Sequence, residues 1–171
     1  MAKIAFLLAS DFEDSEMRNP YEAIKKAGHE VTIVGNKEDD LCIGKHNTVS
    51  YYSEMSSAEA LEHDFDAVVI PGGGAPEVLR INEDTLNFVK DLNSKSKIIA
   101  GICHGPQVMI SADVIRDKTL TCFKGIRDDV INGGAEYVDE EVVVGKNIIT
   151  SRTPKDEPAF IREILSQISG L

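Results

Sequence analysis

Short apolar runs alternate with amphipathic stretches along this chain, a pattern typical of strands connected by helices. Runs of strand type occupy residues 3–9, 29–35, 66–71 and 97–102. Helical periodicity covers residues 16–27, 83–93, 107–115 and 157–168. This alternation predicts a mostly parallel α/β sheet with helices on both faces. With no repeat or linker in the sequence, we expect one domain over residues 1–171.

Local signals add detail to this order of elements. Gly28 is placed to end the first helix, and Ser56 with Glu59 has the spacing of a capping box that opens a short helix. Residues 43–52 are expected to form a hairpin or an excursion from the sheet edge. Short β segments are expected around residues 120–123, 135–138, 142–144 and 148–151.

Three chemically suggestive segments each follow a predicted strand. They are residues 11–16, residues 72–77, and the pair Cys103 and His104. Because ligands of open α/β sheets collect at the carboxyl ends of the strands, these segments are expected to meet around one pocket.

Cys103 is the candidate nucleophile at this edge. It ends the run Ile-Ile-Ala-Gly-Ile and precedes His-Gly-Pro and a helix-like stretch. A sharp strand-to-helix turn exposes such a side chain and surrounds it with unpaired N–H groups. Because the start of a helix also favours an anion, we expect a thiolate with a lowered pKa.

The neighbouring candidates follow from what a thiolate needs. His104 could act as a base or an acid, and Glu77 could orient its second nitrogen. Glu16 would repel a thiolate unless it is protonated by burial and donates a hydrogen bond, and Glu13 is a secondary acidic candidate. The absence of side chains in the glycines at 72–74 would let the Gly73 N–H approach an oxyanion.

The composition of the chain argues against several classes of function. With 29 acidic and 18 basic residues the net charge is −11, which argues against partners such as nucleic acids and anionic membranes. No apolar run approaches the length of a membrane span. Three cysteines without a C-x-x-C pair suggest a cytoplasmic protein that lacks a disulfide framework and a metal site. Cys42 and Cys122 are expected to be core residues.

The segments together closely resemble the PfpI family of intracellular cysteine proteases, in the superfamily of the parkinsonism-associated protein deglycase. The matching segments are residues 11–16, 27–31, 44–46, 65–67, 71–73, 75–77, 102–107, 132–136, 141–144 and 150–154. The resemblance spans essentially the whole chain in the right order. It implies a flavodoxin-like three-layer sandwich.

The resemblance also implies the roles of the site residues. Cys103 would be the nucleophile, Glu16 would be hydrogen-bonded to it, and the N–H groups of Gly73 and His104 would form the oxyanion site. In PfpI-type oligomers, dimers or hexamers, the residue matching Glu77 reaches His104 from a neighbouring subunit. Phe123 stands where the protease members carry a tyrosine near the active site, which weakens the expectation of peptidase chemistry.

Three functions remain open. The first is a stress-protective enzyme that needs no cofactor and acts on reactive dicarbonyls or their adducts on proteins, of the glyoxalase or deglycase type. The second is a peptidase that uses Cys103, His104 and a neighbour's Glu77. The third is a non-catalytic redox sensor. A glutamine amidotransferase is excluded, since no histidine follows His104 to serve as its base.

Overall fold

The predicted alternation of strands and helices is present in the structure, a computed structural model that describes residues 1–171. The strands are β1 (Lys3–Leu7), β2 (Glu30–Gly35), β3 (Leu41–Ile43), β4 (Ser50–Tyr52), β5 (Met55–Ser56), β6 (Ala67–Ile70), β7 (Ile98–Ile102), β8 (Thr119–Leu120), β9 (Glu136–Tyr137), β10 (Val143–Gly145) and β11 (Ile148–Ser151). The helices are α1 (Asp14–Lys26), α2 (Ser57–Ala60), α3 (Ala75–Leu79), α4 (Glu83–Ser94), α5 (Pro106–Ser111), α6 (Arg127–Asn132) and α7 (Glu157–Ser169).

Seven strands form the central sheet, in the order β10-β11-β7-β6-β1-β2-β5. All neighbours are parallel except β10, which runs antiparallel to β11. The chain moves from β1 to β2 in one direction across the sheet and from β6 to β7 in the other. Because such crossovers are right-handed, α1 and α4 lie on opposite faces. The result is the flavodoxin-like sandwich expected from the sequence.

The central strands explain why their sequences are continuously apolar. Every residue of β6 is fully buried, as are residues 4–7 of β1, since helices cover both faces of the sheet at these strands. Helix α7 instead shows one apolar stripe, and its residues Phe160, Ile164 and Ile168 are buried at helical spacing. The hairpin prediction is also confirmed, because β3 and β4 pair antiparallel outside the main sheet.

Some element boundaries differ from the predicted ones. Helices α3 and α6 were not expected, since five or six residues are too few to show a full apolar repeat. Helix α5 ends at Ser111 rather than near Ile115. Strand β8 ends at Leu120, so Cys122 and Phe123 lie in the loop that follows.

None of the helices combines the length and the apolar character needed to cross a membrane.

Candidate active site

The carboxyl ends of β1, β6 and β7 meet where the direction of chain crossing reverses. This reversal between β1 and β6 is the topological switch point, the usual ligand position in such sheets. A cavity of about 260 Å³ opens there. Its lining residues are Glu13, Glu16, Lys45, Gly73, Cys103, His104, Phe123 and Pro154. The three segments expected to converge therefore do so.

Cys103 occupies a sharp turn between β7 and α5. Its φ of 62° lies in the left-handed region, which is uncommon for a residue other than glycine. Two hydrogen bonds hold this backbone, since the Cys103 N–H donates to the Ser151 carbonyl (3.0 Å) and the Cys103 carbonyl accepts from the Phe123 N–H (3.0 Å). The residue is only 8% exposed. The turn therefore holds the sulfur rigidly at the cavity wall.

Two backbone N–H groups beside the sulfur are unoccupied by backbone acceptors. Neither the Gly73 nor the His104 N–H donates to a carbonyl oxygen of the chain. Gly73 has a φ of 79°, and a Cβ there would meet the Asp11 carbonyl oxygen at 2.5 Å. Glycine is thus required both by the backbone angle and by the close packing. Donors that are not bound to a carbonyl oxygen of the chain suit a developing oxyanion.

The expected lowered pKa of Cys103 is not what the structure supports. Burial raises the pKa of the thiol well above its usual range, and a charged Glu16 would raise it further. The His104 N–H acts in the opposite direction, because it favours the thiolate. Helix α5 has only six residues, and its dipole does not outweigh the burial. The resting cysteine is therefore a thiol that needs a base.

His104 is the group in position to be that base. Its Nδ1 atom lies 3.3 Å from the Cys103 sulfur. Burial lowers the pKa of this imidazole, the positive charge of Lys45 lowers it further, and Glu77 acts in the opposite sense. The ring stacks on Phe123 with 4.7 Å between centroids and 26° between planes. A neutral, oriented imidazole results, and it can accept the thiol proton.

Glu16 is a buried carboxyl group at the floor of the cavity. Burial raises its pKa to about 8, although the hydrogen bond from the Gly72 N–H to its Oε1 atom (2.9 Å) acts in the opposite direction. The acid is therefore mainly protonated at neutral pH, as expected from the sequence. Gly72 allows its approach to Cys103, since a Cβ there would meet Glu16 Oε1 at 2.6 Å and the Cys103 Cβ at 2.9 Å.

One implied contact of Glu16 is not formed. Its Oε2 atom is buried and has no hydrogen-bond partner, so the expected hydrogen bond to the Cys103 sulfur is missing. The sulfur instead contacts the His104 ring. A buried oxygen without a partner is costly, and the carboxyl group that carries it lines the same cavity as Cys103.

The DJ-1/PfpI family profile matches residues 2–167 of the chain. The chain belongs to the DJ-1/PfpI family. It is 45% identical over 164 residues to protein/nucleic acid deglycase 2 of Escherichia coli, covering 95% of each chain. It is 44% identical over 163 residues to deglycase PfpI of Pyrococcus furiosus, covering 95% of this chain and 97% of that one. A Bacillus subtilis protein named "Putative cysteine protease YraA" is 42% identical over 165 residues, covering 96% of each chain.

Solved structures agree with this membership. A two-domain Anabaena variabilis protein with DJ-1/ThiJ/PfpI-like and ferritin-like domains superimposes with a TM-score of 0.96 at 41% identity. The match covers 99% of this chain and 48% of that one. Drosophila melanogaster DJ-1beta superimposes with a TM-score of 0.92 at 27% identity, covering 99% of this chain and 91% of that one.

In this DJ-1/PfpI protein, Glu77 is the one candidate that lies outside the cavity. It is exposed on α3 and forms no hydrogen bond with His104 of its own chain. Its arrival from a neighbouring subunit therefore stays a prediction.

Lys45 also lines the cavity, although it was not among the predicted site residues. Its ammonium group pairs with Glu13 at 3.3 Å, and the same carboxylate contacts His46 Nε2 at 3.0 Å. Lys45 follows the β3 strand and reaches the cavity only through tertiary packing. Its place in the matched segment 44–46 was the one available signal.

Asp14, the first residue of α1, has a structural role that differs from the role proposed for Glu16. Asp14 is buried and accepts hydrogen bonds from the N–H groups of His46 and Thr48 (2.9 Å each) and from the Thr48 hydroxyl (2.6 Å). Burial opposes its ionisation, but these donors keep its pKa well below the usual range. Asp14 therefore anchors the loop that carries Lys45.

No cluster of three or more His, Cys, Asp or Glu side chains is arranged to hold a metal ion.

Proposed function

We propose that this protein is a cysteine-dependent enzyme that converts reactive dicarbonyls, or their adducts on protein side chains, into hydroxy acids. The observation that carries the proposal is the grouping of the Cys103 thiol, a neutral His104, a protonated Glu16 and two N–H groups without a carbonyl partner around one small cavity. The deglycase names of relatives at 44–45% identity support the same reaction class.

The first step is addition of sulfur to the aldehyde carbon of a dicarbonyl such as methylglyoxal. A C–S bond forms as the carbonyl π bond breaks, and the thiol proton passes to His104 Nδ1. The new oxyanion lies against the N–H groups of Gly73 and His104 and takes the proton of Glu16. The product of this step is a hemithioacetal. For an adduct on an amine, the thiol proton again passes to His104, and the C–N bond breaks as the C–S bond forms. The amine leaves with the proton of Glu16, so the same hemithioacetal and the same protonation states result.

The second step moves hydrogen within the bound substrate. The Glu16 carboxylate removes the hydrogen from C1, and the ketone oxygen takes the proton from His104, which gives an enediol. Glu16 then returns its proton to C2 and accepts the C1 hydroxyl proton. C1 is oxidised and C2 is reduced, so no external oxidant is needed. Water hydrolyses the resulting thioester, which releases lactate and restores the thiol.

The cavity suits small substrates and exposed adducts. A volume of about 260 Å³ is below the range of about 300–1,000 Å³ typical of drug-sized ligands. The name of the E. coli relative also mentions nucleic acid. Because the chain has a net charge of −11, which opposes binding of nucleic acid, we propose glycated proteins and free carbonyls as its substrates. A glycated nucleotide is the substrate for comparison.

The test measures lactate from methylglyoxal with the wild type, Cys103→Ser and Glu16→Gln. Cys103→Ser is expected to abolish lactate production, and Glu16→Gln to lower it by about 100-fold or more, since it removes the acid–base group. Cys42→Ser is the matched control, because Cys42 is also buried but lies outside the cavity. If Cys103→Ser still produced lactate, Cys103 would not be the nucleophile.

A peptidase is the second candidate, favoured by the contact of the Cys103 sulfur with a neutral imidazole. It lacks an acid partner for His104 within the chain, and Phe123 offers no hydroxyl group. A fluorogenic peptide separates the two functions. Robust peptide cleavage without lactate production would reverse the order of the two proposals. A redox role would be indicated if Cys103 is oxidised to a stable sulfinic acid while neither substrate is turned over.

A further inference from the structure

The largest cavity of the molecule, about 550 Å³, lies far from Cys103. Ile98, the first residue of β7, lines it, whereas Cys103 follows the last residue of that strand. Four residue steps along the strand separate the two ends by about 13 Å. Asn93 and Gln167, at the ends of α4 and α7, line it as well. The cavity is thus at the amino ends of the strands, opposite the proposed active site.

Two lysines and no acidic residue line this cavity. Lys118 and Lys146 face it, together with the polar side chains of Asn93, Asn147, Ser96 and Gln167. This is unusual for a chain with 29 acidic residues and a net charge of −11. The smaller cavity at Cys103, by contrast, contains Glu13 and Glu16. The charged side chains that line this second cavity are therefore both positive, in an otherwise acidic protein.

Hydrogen bonds to neighbouring side chains fix the position of the Lys118 ammonium group. Its half-buried ammonium group donates to Asn93 Oδ1 at 2.6 Å and to Asn147 Oδ1 at 2.9 Å. Asn147 is oriented in turn, because its amide nitrogen donates to the Lys97 carbonyl (2.8 Å) and to Asn93 Oδ1 (3.1 Å). Amide oxygens satisfy two of the three ammonium donors but do not neutralise the charge. Burial and the charge of Lys146 both lower the pKa of Lys118, as expected for a cation without a counter-charge.

We propose that this cavity binds a small organic anion, with Lys118 and Lys146 on its carboxylate or phosphate group and the apolar side chains of Ile98, Val144 and Ile149 against its body. The volume is within the range of about 300–1,000 Å³ found for small-molecule sites. The mixture of apolar walls and a few convergent polar groups is also typical of such sites. This site is independent of the proposed reaction at Cys103.

Titration calorimetry of the full chain with benzoate and with phenyl phosphate tests the proposal. Both probes carry the same apolar ring, so the difference between them identifies the preferred anionic group, and benzyl alcohol is the neutral control. We expect saturable binding of at least one anion and none of the alcohol. Added salt should weaken this binding, because the contact is ionic.

Substitutions of the two lysines test whether the anion binds in this cavity. Lys118→Gln and Lys146→Gln should each raise the Kd of the bound anion about tenfold, since each removes a charge-assisted contact. Lys90→Gln should leave it unchanged, because Lys90 is exposed on α4 but does not line the cavity. Lys146→Gln keeps the test valid if Lys118→Gln fails to fold, since Lys146 is exposed. Absence of saturable binding by both anions, unchanged affinity in Lys146→Gln, or loss of binding in Cys103→Ser would overturn the proposal.

Discussion

At the scale of single residues, Glu16 is the most strongly perturbed acid of the proposed site. Its side chain has no exposed surface, and burial raises its pKa from 4.5 to about 8. Between these two values the folded protein binds more protons than the unfolded chain. The free energy of unfolding therefore falls as the pH rises through this window.

Glu16→Gln is expected to remove this pH dependence. The amide keeps an oxygen for the Gly72 N–H but carries no charge at any pH. We expect the variant to be more stable than the wild type by about 4 kcal/mol at pH 8, and the difference to shrink towards pH 4.5. Denaturant unfolding at several pH values measures this. Equal pH profiles for the two proteins would mean that Glu16 is not buried as a neutral acid.

The reactivity of Cys103 should depend on the same carboxyl group. Above pH 8 the wild-type Glu16 is charged and opposes formation of the thiolate. Glu16→Gln should therefore lower the pKa of the thiol and speed alkylation by iodoacetamide about tenfold at pH 9. Mass spectrometry of the Cys103 peptide gives the rate. A slower reaction in the variant would contradict the electrostatic coupling.

At the scale of elements, the loop that follows β3 depends on the first turn of α1. The buried Asp14 carboxylate accepts three hydrogen bonds from His46 and Thr48, and a Cβ at Gly44 would collide with it. These contacts fix the position of Lys45 at the cavity. A second contact of α1 is with α7, where Glu157 accepts from the Ser15 hydroxyl and the Asn19 amide (2.6 Å each). Glu16 is thus carried by a helix held at two places.

Asp14→Asn should loosen this loop. The substitution replaces one carboxylate oxygen with an NH₂ group, which cannot accept the hydrogen bonds that His46 and Thr48 donate. We therefore expect the free energy of unfolding at pH 7 to fall by about 2 kcal/mol. Because the folded pKa is lowered, this contribution is present above about pH 4 and disappears as the pH falls through the folded value. Faster hydrogen exchange of the His46 and Thr48 amides would locate the effect. The exposed Asp113→Asn is the control, and equal losses in both variants would contradict the anchor role.

At the scale of the whole molecule, two elements near the active-site end expose apolar side chains. The hairpin β3–β4 exposes Leu41, Ile43 and Tyr52, and Val78 and Ile81 are exposed in and after α3, beside Glu77. Exposed apolar groups of this kind are typical of contact surfaces between proteins. They support the prediction of a homo-oligomer, in which Glu77 would reach a neighbour's His104.

Sedimentation velocity tests this assembly. The wild type should sediment as a dimer or a larger species, and the double variant Tyr52→Asp/Ile81→Asp should sediment as a smaller one, since each change places a charge in an apolar contact. Ile131→Asp, exposed on α6, is the control.

Glu77→Ala should abolish peptide cleavage only in the assembled protein. A wild-type monomer that cleaves peptides fully would refute the role of Glu77.

The sequence by itself determined the α/β order, the turn at Cys103 and the convergence of three strand ends. These follow from apolar periodicity and from glycines and caps, which act over a few residues. It did not reveal the short helices α3 and α6, because they contain too few residues for a repeat.

Only the tertiary structure decided the electrostatics of the site. The raised pKa of Cys103, the position of Lys45 at the cavity, and the lysine-lined cavity around Lys118 all depend on atoms from segments far apart in the chain. Desolvation and charge pairing are set by which groups are excluded from water together, and no local pattern contains that information.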